Sequence, residues 1–109
     1  MSQSDAYSLV MVTTPDAECA RRLARAALEA RLVACANITP SIESHYWWQG
    51  EIQSASEALI FFKTTSVNIA NLEALVLQHH PYETPEFIVI PIQHGNPHYL
   101  EWIRSNVKL

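Results

Sequence analysis

The feature that most constrains the fold is the stretch of residues 42–65, IESHYWWQGEIQSASEALIFFKTT. It predicts one long β-hairpin, because Gly50 follows Gln49 between two strand-like arms and can supply the positive φ that a tight turn needs. Successive strand residues point to opposite faces, so Trp47 and Trp48 take different faces of the outgoing arm. A chain of 109 residues cannot cover both faces of such a tip. We therefore expect another copy of the chain to cover it.

Composition and charge exclude several classes of protein. The chain is 49% hydrophobic and 17% charged, which predicts a single domain over residues 1–109 with residues 1–5 as a disordered tail. The net charge of -4 argues against a nucleic-acid partner. No apolar run reaches the ~20 residues of a membrane span. Without a signal-like start, and with only Cys19 and Cys35, we expect a cytoplasmic protein with reduced thiols.

The first half of the chain predicts strand, helix and strand ahead of the hairpin. Residues 7–13 are rich in strand formers. The following Thr14 and Pro15 predict the cap and the first position of a helix whose buried stripe is mostly alanine. Strand two is predicted over residues 32–38. Pro40 then breaks or bends it, and the hairpin follows.

The second half predicts a helix, a strand and a short final helix. Residues 64–66 can cap the second helix, and Pro81 ends it. Residues 87–92, FIVIPI, are apolar on both faces as expected of a central strand, while Pro91 marks an edge, a bulge or the strand's end. Residues 96–97 then supply a cap and a first-position proline for the last helix.

The resulting order is βαββαβ followed by a C-terminal helix. Two βαβ units interleaved around a hairpin form an α+β, ferredoxin-like split βαβ sandwich. Both crossover helices are expected on one face of its antiparallel sheet. The other face has no predicted cover except the last helix, which again indicates a partner.

Polar chemistry is concentrated in residues 79–86, HHPYETPE, which hold two imidazoles, a phenol and two carboxylates. One interpretation is a rigid connector after a helix end, where histidines favour the dipole. The other is a binding site, since imidazole suits copper and zinc and the Cys35 thiolate would add softness. His94 and His98 have a spacing that zinc sites use, but the paired cysteines of such sites are absent.

Other polar residues also have two interpretations. Cys35 is either a small buried hydrophobe or a ligand or nucleophile. Lys63 either binds an anion or pairs with a carboxylate such as Glu57 or Glu86. The tryptophans either stack on a ligand or pack in an interface. No catalytic motif is present, so we predict that the protein is not an enzyme. An acid–base role of Glu83 and Glu86 is the remaining enzyme hypothesis.

Taken together, the motifs closely resemble those of the CutA family, the divalent-cation-tolerance proteins. The matching pieces occur in the family's order over nearly the whole chain. They are residues 34–37 (ACAN), residues 46–48 (YWW) with Gly50, residues 63–64 (KT), residues 80–83 (HPYE), residues 85–86 (PE), Gly95, residues 99–100 (YL) and Trp102.

The resemblance implies an assembly and a function. CutA proteins look like ferredoxin-like sandwiches that form homotrimers of PII-like architecture, so the hairpin of residues 42–65 is expected to pair across subunits. Members are linked to tolerance of copper and other divalent ions, with no established reaction and no obligatory cofactor. Cu(II) or another divalent metal ion is the candidate ligand. The alternative is a PII-like signalling module that acts through a protein partner.

The resemblance also implies site residues. The copper-binding histidine pair of bacterial members falls on His79 and His80. The cysteine at the end of the family's first strand falls on Val12, so a copper site of the same kind lacks its softest ligand here. The residues expected to line an intersubunit cleft for a ligand are Cys35, Tyr46, Trp48, Lys63, Tyr82, Glu83, Glu86 and Trp102.

Overall fold

The order of elements confirms the predicted βαββαβ arrangement with a final helix. The structure, a computed structural model, describes residues 6–108, so the predicted tail of residues 1–5 lies outside the described residues. The elements are β1 (Tyr7–Thr14), α1 (Ala17–Glu29), β2 (Cys35–Trp48), β3 (Glu51–Thr65), a 3₁₀ turn (Ser66–Asn68), α2 (Ile69–His79), β4 (Ile88–Pro91) and α3 (Pro97–Ser105).

The strands form one antiparallel sheet in the order β2-β3-β1-β4. The first βαβ unit joins β1 to β2 with β3 between them, and the second joins β3 to β4 with β1 between them. This interleaving is the split βαβ topology that the sequence predicts.

The core lies between one face of the sheet and helices α1 and α2. Alternate residues of β1 and β3 are fully buried there, together with the predicted alanine-rich stripe of α1. Small alanine side chains let α1 lie close to the sheet. Leu28, at the end of that stripe, is instead 40% exposed. The core residues are Val10, Val12, Cys19, Ala20, Leu23, Ala24, Ala27, Leu32, Val33, Ala58, Ile60, Phe62, Leu72 and Val76.

Helix α1 begins two residues later than predicted. Its N-cap is Asp16, whose backbone is extended and whose carboxylate accepts the N–H of Cys19 at 2.8 Å. Thr14 instead ends β1, and its hydroxyl donates to the Asp16 carbonyl at 2.8 Å. Pro15 therefore precedes the cap. Helix α2 also begins late, at Ile69, because β3 extends through the predicted capping residues 64 and 65 and a 3₁₀ turn follows over Ser66–Asn68.

Two predicted strands also differ from the structure. Strand β2 begins at Cys35 and continues through Pro40 to Trp48, because an irregularity absorbs the proline. The strand predicted as central is the short edge strand β4, which pairs only with β1 among the described strands. Pro91 ends this strand, which is one of the three roles predicted for that proline.

The hairpin turn and the last helix start as predicted. Gln49 and Gly50 have φ values of 50° and 80°, so both residues of the two-residue turn are left-handed, as in a type I′ turn. Asn96 caps α3 by accepting the N–H groups of His98 and Tyr99. The turn joins two strands of 14 and 15 residues, which makes the hairpin the longest feature of the described chain.

Candidate functional site

An irregularity in β2 decides which hairpin side chains share a face of the sheet. Thr39 pairs with Leu59 and Ile42 pairs with Glu57, so β2 takes three steps where β3 takes two. Such a bulge reverses the alternation of side chains beyond it. Pro40 lies inside this bulge, where its missing N–H does not interrupt a regular ladder.

The bulge gathers predicted cleft residues on the side of the sheet opposite α1 and α2. We call this side the open face, and its centre is formed by the half-buried residues Leu9, Met11, Leu59 and Phe61. Cys35 lies opposite Lys63 before the bulge, and Tyr46 and Trp48 come after it. In a regular strand residues 35 and 46 would point to opposite faces, so the bulge is what places them together.

Three residues at one end of the open face form an acidic cluster, which we define as Glu57, Tyr82 and Glu86. The Tyr82 hydroxyl donates to the Glu57 carboxylate at 2.8 Å. Burial, and then the bond to Glu57, raise the pKa of Tyr82. Burial, and then the charge of Glu57, raise the pKa of Glu86. The cluster therefore keeps the Tyr82 proton in place and disfavours a bare negative charge on Glu86.

One oxygen of Glu86 is the clearest unmet requirement of this cluster. Its Oε2 atom is buried and has no hydrogen-bond partner among the described residues. A buried carboxylate oxygen without a partner is unfavourable unless a proton, a donor or a cation compensates it. The acidic cluster can therefore accept a cationic or hydrogen-bond-donating group.

His80 holds the connector between α2 and β4, residues 80–87, which carries Tyr82. Its Nε2–H donates to the Thr13 carbonyl at 2.7 Å, and its Nδ1 accepts the N–H of Tyr82 at 3.1 Å. These two bonds specify the neutral imidazole with the proton on Nε2. The ring is buried, and its centroid lies 4.7 Å from that of Tyr82. His80 thus fastens the connector to the end of β1.

The predicted histidine pair divides into one held and one exposed ring. His79 ends α2 and is exposed, whereas both ring nitrogens of His80 are already bonded. No group of three or more His, Cys, Asp or Glu side chains among residues 6–108 is arranged to hold a metal ion. Val12, at the position of the family's cysteine, is fully buried in the core. A copper site at His79 and His80 stays a prediction.

A second group occupies the other end of the open face, and we call it the lysine group: Lys63, Tyr99, Trp102 and Cys35. The Lys63 ammonium lies 5.6 Å from the centroid of the Tyr99 ring, and that ring stacks on Trp102 with centroids 5.5 Å apart. The Cys35 thiol donates to the side-chain carbonyl of Asn37 at 3.4 Å. The exposed stack and the cation can receive an anionic group or a planar ring.

The predicted cleft residues do not form one site within a single chain. Glu57 and Lys63 lie on the same face of β3, six residues apart, which separates their Cα atoms by ~20 Å. Tyr82 and Glu86 join Glu57, and Trp102 joins Lys63. Glu83 is exposed, and Tyr46 and Trp48 lie on the hairpin beyond the acidic cluster.

Two members of these groups were not in the predicted cleft. Glu57 was predicted only as a possible partner for Lys63, although its place directly before the apolar run 58–62 marks it as a charged residue at the edge of the buried part of a strand. Tyr99 precedes Trp102 by three residues, and this spacing places the two rings on one side of a helix. Both signals were present in the sequence.

The hairpin tip is uncovered on both faces, as predicted for one chain. The side chains of Trp47, Trp48 and Ile52 are 72%, 52% and 66% exposed. Trp47 pairs with Ile52, and Trp48 lies on the open face. Apolar surface of this kind on both sides of a ribbon marks an interaction surface.

The chain matches a known protein family and several of its members. The family described as CutA1 divalent ion tolerance protein matches residues 8–106. The divalent-cation tolerance protein CutA of Thermus thermophilus is 44% identical over 98 residues, covering 90% of this chain and 95% of the relative. The chloroplastic protein CutA 1 of Oryza sativa is 41% identical over 100 residues, and the chain spans 56% of that relative's length.

Solved structures share the fold at full length. The crystal structure of CutA1 from Oryza sativa has a TM-score of 0.92 and 40% identity, covering 94% of both chains. The CutA of Archaeoglobus fulgidus, described as periplasmic, has a TM-score of 0.91 and 37% identity, covering 94% of this chain and 99% of that one. Among residues 6–108 no helix has the length and apolar character needed to cross a membrane.

Proposed function

The chain belongs to the CutA1 divalent ion tolerance family, and we propose that it is a homotrimer that binds a divalent metal ion or a small ligand at clefts between its subunits. The family is not a known enzyme family, and the proposed role is binding without catalysis. The observation that carries the proposal is the acidic cluster, which is incomplete in one chain: beside Glu57, Glu86 has a buried oxygen without a partner among the described residues, so the cleft calls for a group from a neighbouring subunit or a ligand.

The proposed trimer is supported by the apolar surface that one chain leaves uncovered. The open face presents half-buried Leu59 and Phe61, and the hairpin tip presents exposed Trp47 and Trp48. Burial of such side chains stabilises an assembly by roughly 25 cal/mol for each Å² of apolar area removed from water. In a trimer the acidic cluster and the lysine group of each open face would lie against neighbouring subunits.

The proposed copper site uses His79 and His80. His79 is available to a metal ion, whereas ligation by His80 requires its ring to give up the bond to Thr13 or the one to Tyr82. The position of the family's thiolate is occupied by Val12. We therefore expect Cu(II) to bind more weakly than at a site that also holds a cysteine.

The second candidate function is a signalling module that acts through a protein partner. The observation in its favour is the exposed pair of Trp47 and Ile52 on the face opposite the acidic cluster. The hairpin turn, in contrast, is only two residues long, so the hairpin lacks the long loop with which PII proteins would recognise a partner. The cytoplasm is the compartment we propose for either function.

Native mass spectrometry with added Cu(II) and Zn(II) tests the metal part of this proposal. We expect a trimer that takes up about one ion per subunit, and we expect that uptake to be lost in a His79→Ala/His80→Ala variant. The matched control is His94→Ala/His98→Ala, which removes two exposed histidines elsewhere and should leave uptake unchanged. Equal uptake by the parent and the His79→Ala/His80→Ala variant would exclude the histidine site.

A further test addresses the protein-partner alternative. Affinity capture is carried out with the parent and with a Trp47→Ser/Ile52→Ser variant. The comparison identifies proteins whose binding requires the exposed side chains of Trp47 and Ile52. A stoichiometric protein captured only by the parent would favour the signalling function. Capture of no such protein, together with metal uptake by the parent, would favour the binding function.

A further inference from the structure

We propose that Lys63 of one copy of the chain forms an ion pair with Glu86 of a second copy, so that each cleft is composed of the lysine group of one subunit and the acidic cluster of the next. This inference rests on the proposed assembly and deepens it. It names the partner of the acidic cluster, which is a second copy of this chain.

The first step is that the acidic cluster lacks a cation. Glu86 and Glu57 are neighbouring carboxyl groups. Among the described residues, the Glu57 carboxylate accepts a hydrogen bond only from the Tyr82 hydroxyl. The buried Oε2 atom of Glu86 has no partner in the described chain, whereas its Oε1 atom is not buried and stays open to a second copy. Buried charges in proteins are generally paired, so the cluster is incomplete in a single chain.

The second step is that Lys63 lacks an anion. No ion pair involves Lys63 among residues 6–108, where the pairs join Arg22 to Glu18, Arg25 to Glu29 and His45 to Glu43. Its ammonium has only the Tyr99 ring, at 5.6 Å.

Arg104 is another cation near this end of the sheet, and it is already held. Its Nε donates to the Tyr7 hydroxyl at 3.2 Å, and its guanidinium lies 5.2 Å from the centroid of the Tyr7 ring. Lys63 is therefore the described cation on the open face that remains available for a carboxylate.

The third step is that these two groups cannot meet within one chain. Lys63 lies ~20 Å along β3 from Glu57, and Glu86 lies beside Glu57. A lysine side chain does not span that distance. The partner of each group must therefore come from outside the chain.

The fourth step is that the open face is complementary to a second open face. It has a cation at one end, carboxylates at the other, and the apolar residues Leu59 and Phe61 between them. Copies placed so that opposite ends meet bury the apolar centre and pair every charge once in a closed ring, as in the proposed trimer. Complementary charge at the ends also fixes the register of the apolar contact.

A charge exchange tests the pair directly. The variants Lys63→Glu and Glu86→Lys each place like charges together, and we expect each to raise the dissociation constant of the assembly at least about tenfold. The variant carrying both changes restores the pair with reversed polarity, and we expect it to recover most of that loss. The measurement is sedimentation over a dilution series. Urea is added only at concentrations below those that unfold the subunits, so that dissociation of the assembly is measured without unfolding.

Two controls make the result specific. Arg21→Glu and Glu73→Lys reverse exposed charges on α1 and α2, which lie on the opposite side of the sheet from the open face, and should leave the dissociation constant unchanged. Should a charge reversal prevent folding, a cycle of Lys63→Met, Glu86→Gln and the double variant replaces it. A coupling between the two changes in that cycle supports the pair, and purely additive effects overturn it.

The outcomes separate this inference from the proposed assembly. A parent that sediments as a monomer overturns the proposed trimer and the ion pair together. A parent that assembles, with no recovery in the variant that carries both charge reversals, overturns the ion pair and leaves the trimer in place.

Discussion

The Tyr82 hydroxyl donates a hydrogen bond of 2.8 Å to the carboxylate of Glu57. This bond joins the connector after α2 to the middle of β3, whereas the buried Oε2 atom of Glu86 receives no hydrogen bond from the described residues. The connector is thereby held at the end of the open face.

Tyr82→Phe removes the donor and leaves Glu57 without its partner. We expect the free energy of unfolding to fall by about 1–3 kcal/mol, the usual effect of losing a hydrogen bond to a charged group. Urea denaturation measures this change. Tyr99→Phe is the control, since no hydrogen bond of its hydroxyl occurs among the described residues, and it should shift the midpoint little. Equal losses in both variants would contradict the role of the bond.

His80→Ala removes two hydrogen bonds and a buried ring. We expect a loss of roughly 2–3 kcal/mol in the free energy of unfolding. His79→Ala, at the exposed neighbouring position, should change it by less than about 0.5 kcal/mol. Thermal and urea unfolding of both variants test this asymmetry. Similar losses would show that His80 does not hold the connector.

Trp48→Asp and Trp47→Asp test the hairpin tip as an assembly surface. Each places a carboxylate in the proposed apolar interface, which costs several kcal/mol unless the charge is paired. We expect monomer or aggregate in size-exclusion chromatography. Val67→Asp is the matched control, because Val67 is as exposed as Trp47, at 72%, but lies just after the far end of β3, away from the hairpin tip. A trimer in the tryptophan variants would refute this role of the tip.

Gly50→Val tests the hairpin turn. Gly50 has φ +80°, which a β-branched residue adopts only with strain, while the space around its Cβ position is empty. We therefore expect a loss of about 1–2 kcal/mol from backbone strain and not from crowding. Gly50→Asn should be tolerated better, since asparagine adopts this conformation more readily. Equal stability of the two variants would contradict the conformational argument.

The pH dependence of stability tests Glu86. Burial, and then the charge of Glu57, raise its pKa above the ordinary value of 4.5. The folded chain then binds more protons than the unfolded chain, so this contribution is present below pH 4.5 and is lost as the pH rises through the raised value. Glu86→Gln should remove that slope.

The proposed ion pair modifies this slope in the parent. A lysine of a second copy beside Glu86 favours the charged carboxylate and offsets the loss. We therefore expect the slope in full in Lys63→Met, and we expect it to disappear in Lys63→Met/Glu86→Gln. Urea midpoints between pH 4 and pH 8 measure it. A parent and a Lys63→Met variant with the same slope would count against the pair.

The fold was largely predictable because it depends on local signals. Gly50 marks the hairpin turn, and Asn96 with Pro97 marks the start of α3, each through its own backbone preference. The misplaced α1 cap shows the limit of such signals. Thr14 and Asp16 are both good caps, and the length of β1 decides between them.

The candidate site was less predictable because it depends on register. The bulge beside Pro40 places Cys35 and Tyr46 on one face, and strict alternation of residues would separate them. The two bonds of His80 were not predictable either. They depend on how the connector folds back on Thr13, which is a contact between residues 67 positions apart.

Sedimentation equilibrium of the parent chain, metal-free and at low micromolar concentration, tests the central claim that copies of this chain cover the open face. The account predicts a single species with three times the mass of the 12.3 kDa chain. A monomer under these conditions would contradict it, because the open face and the hairpin tip would then remain in water.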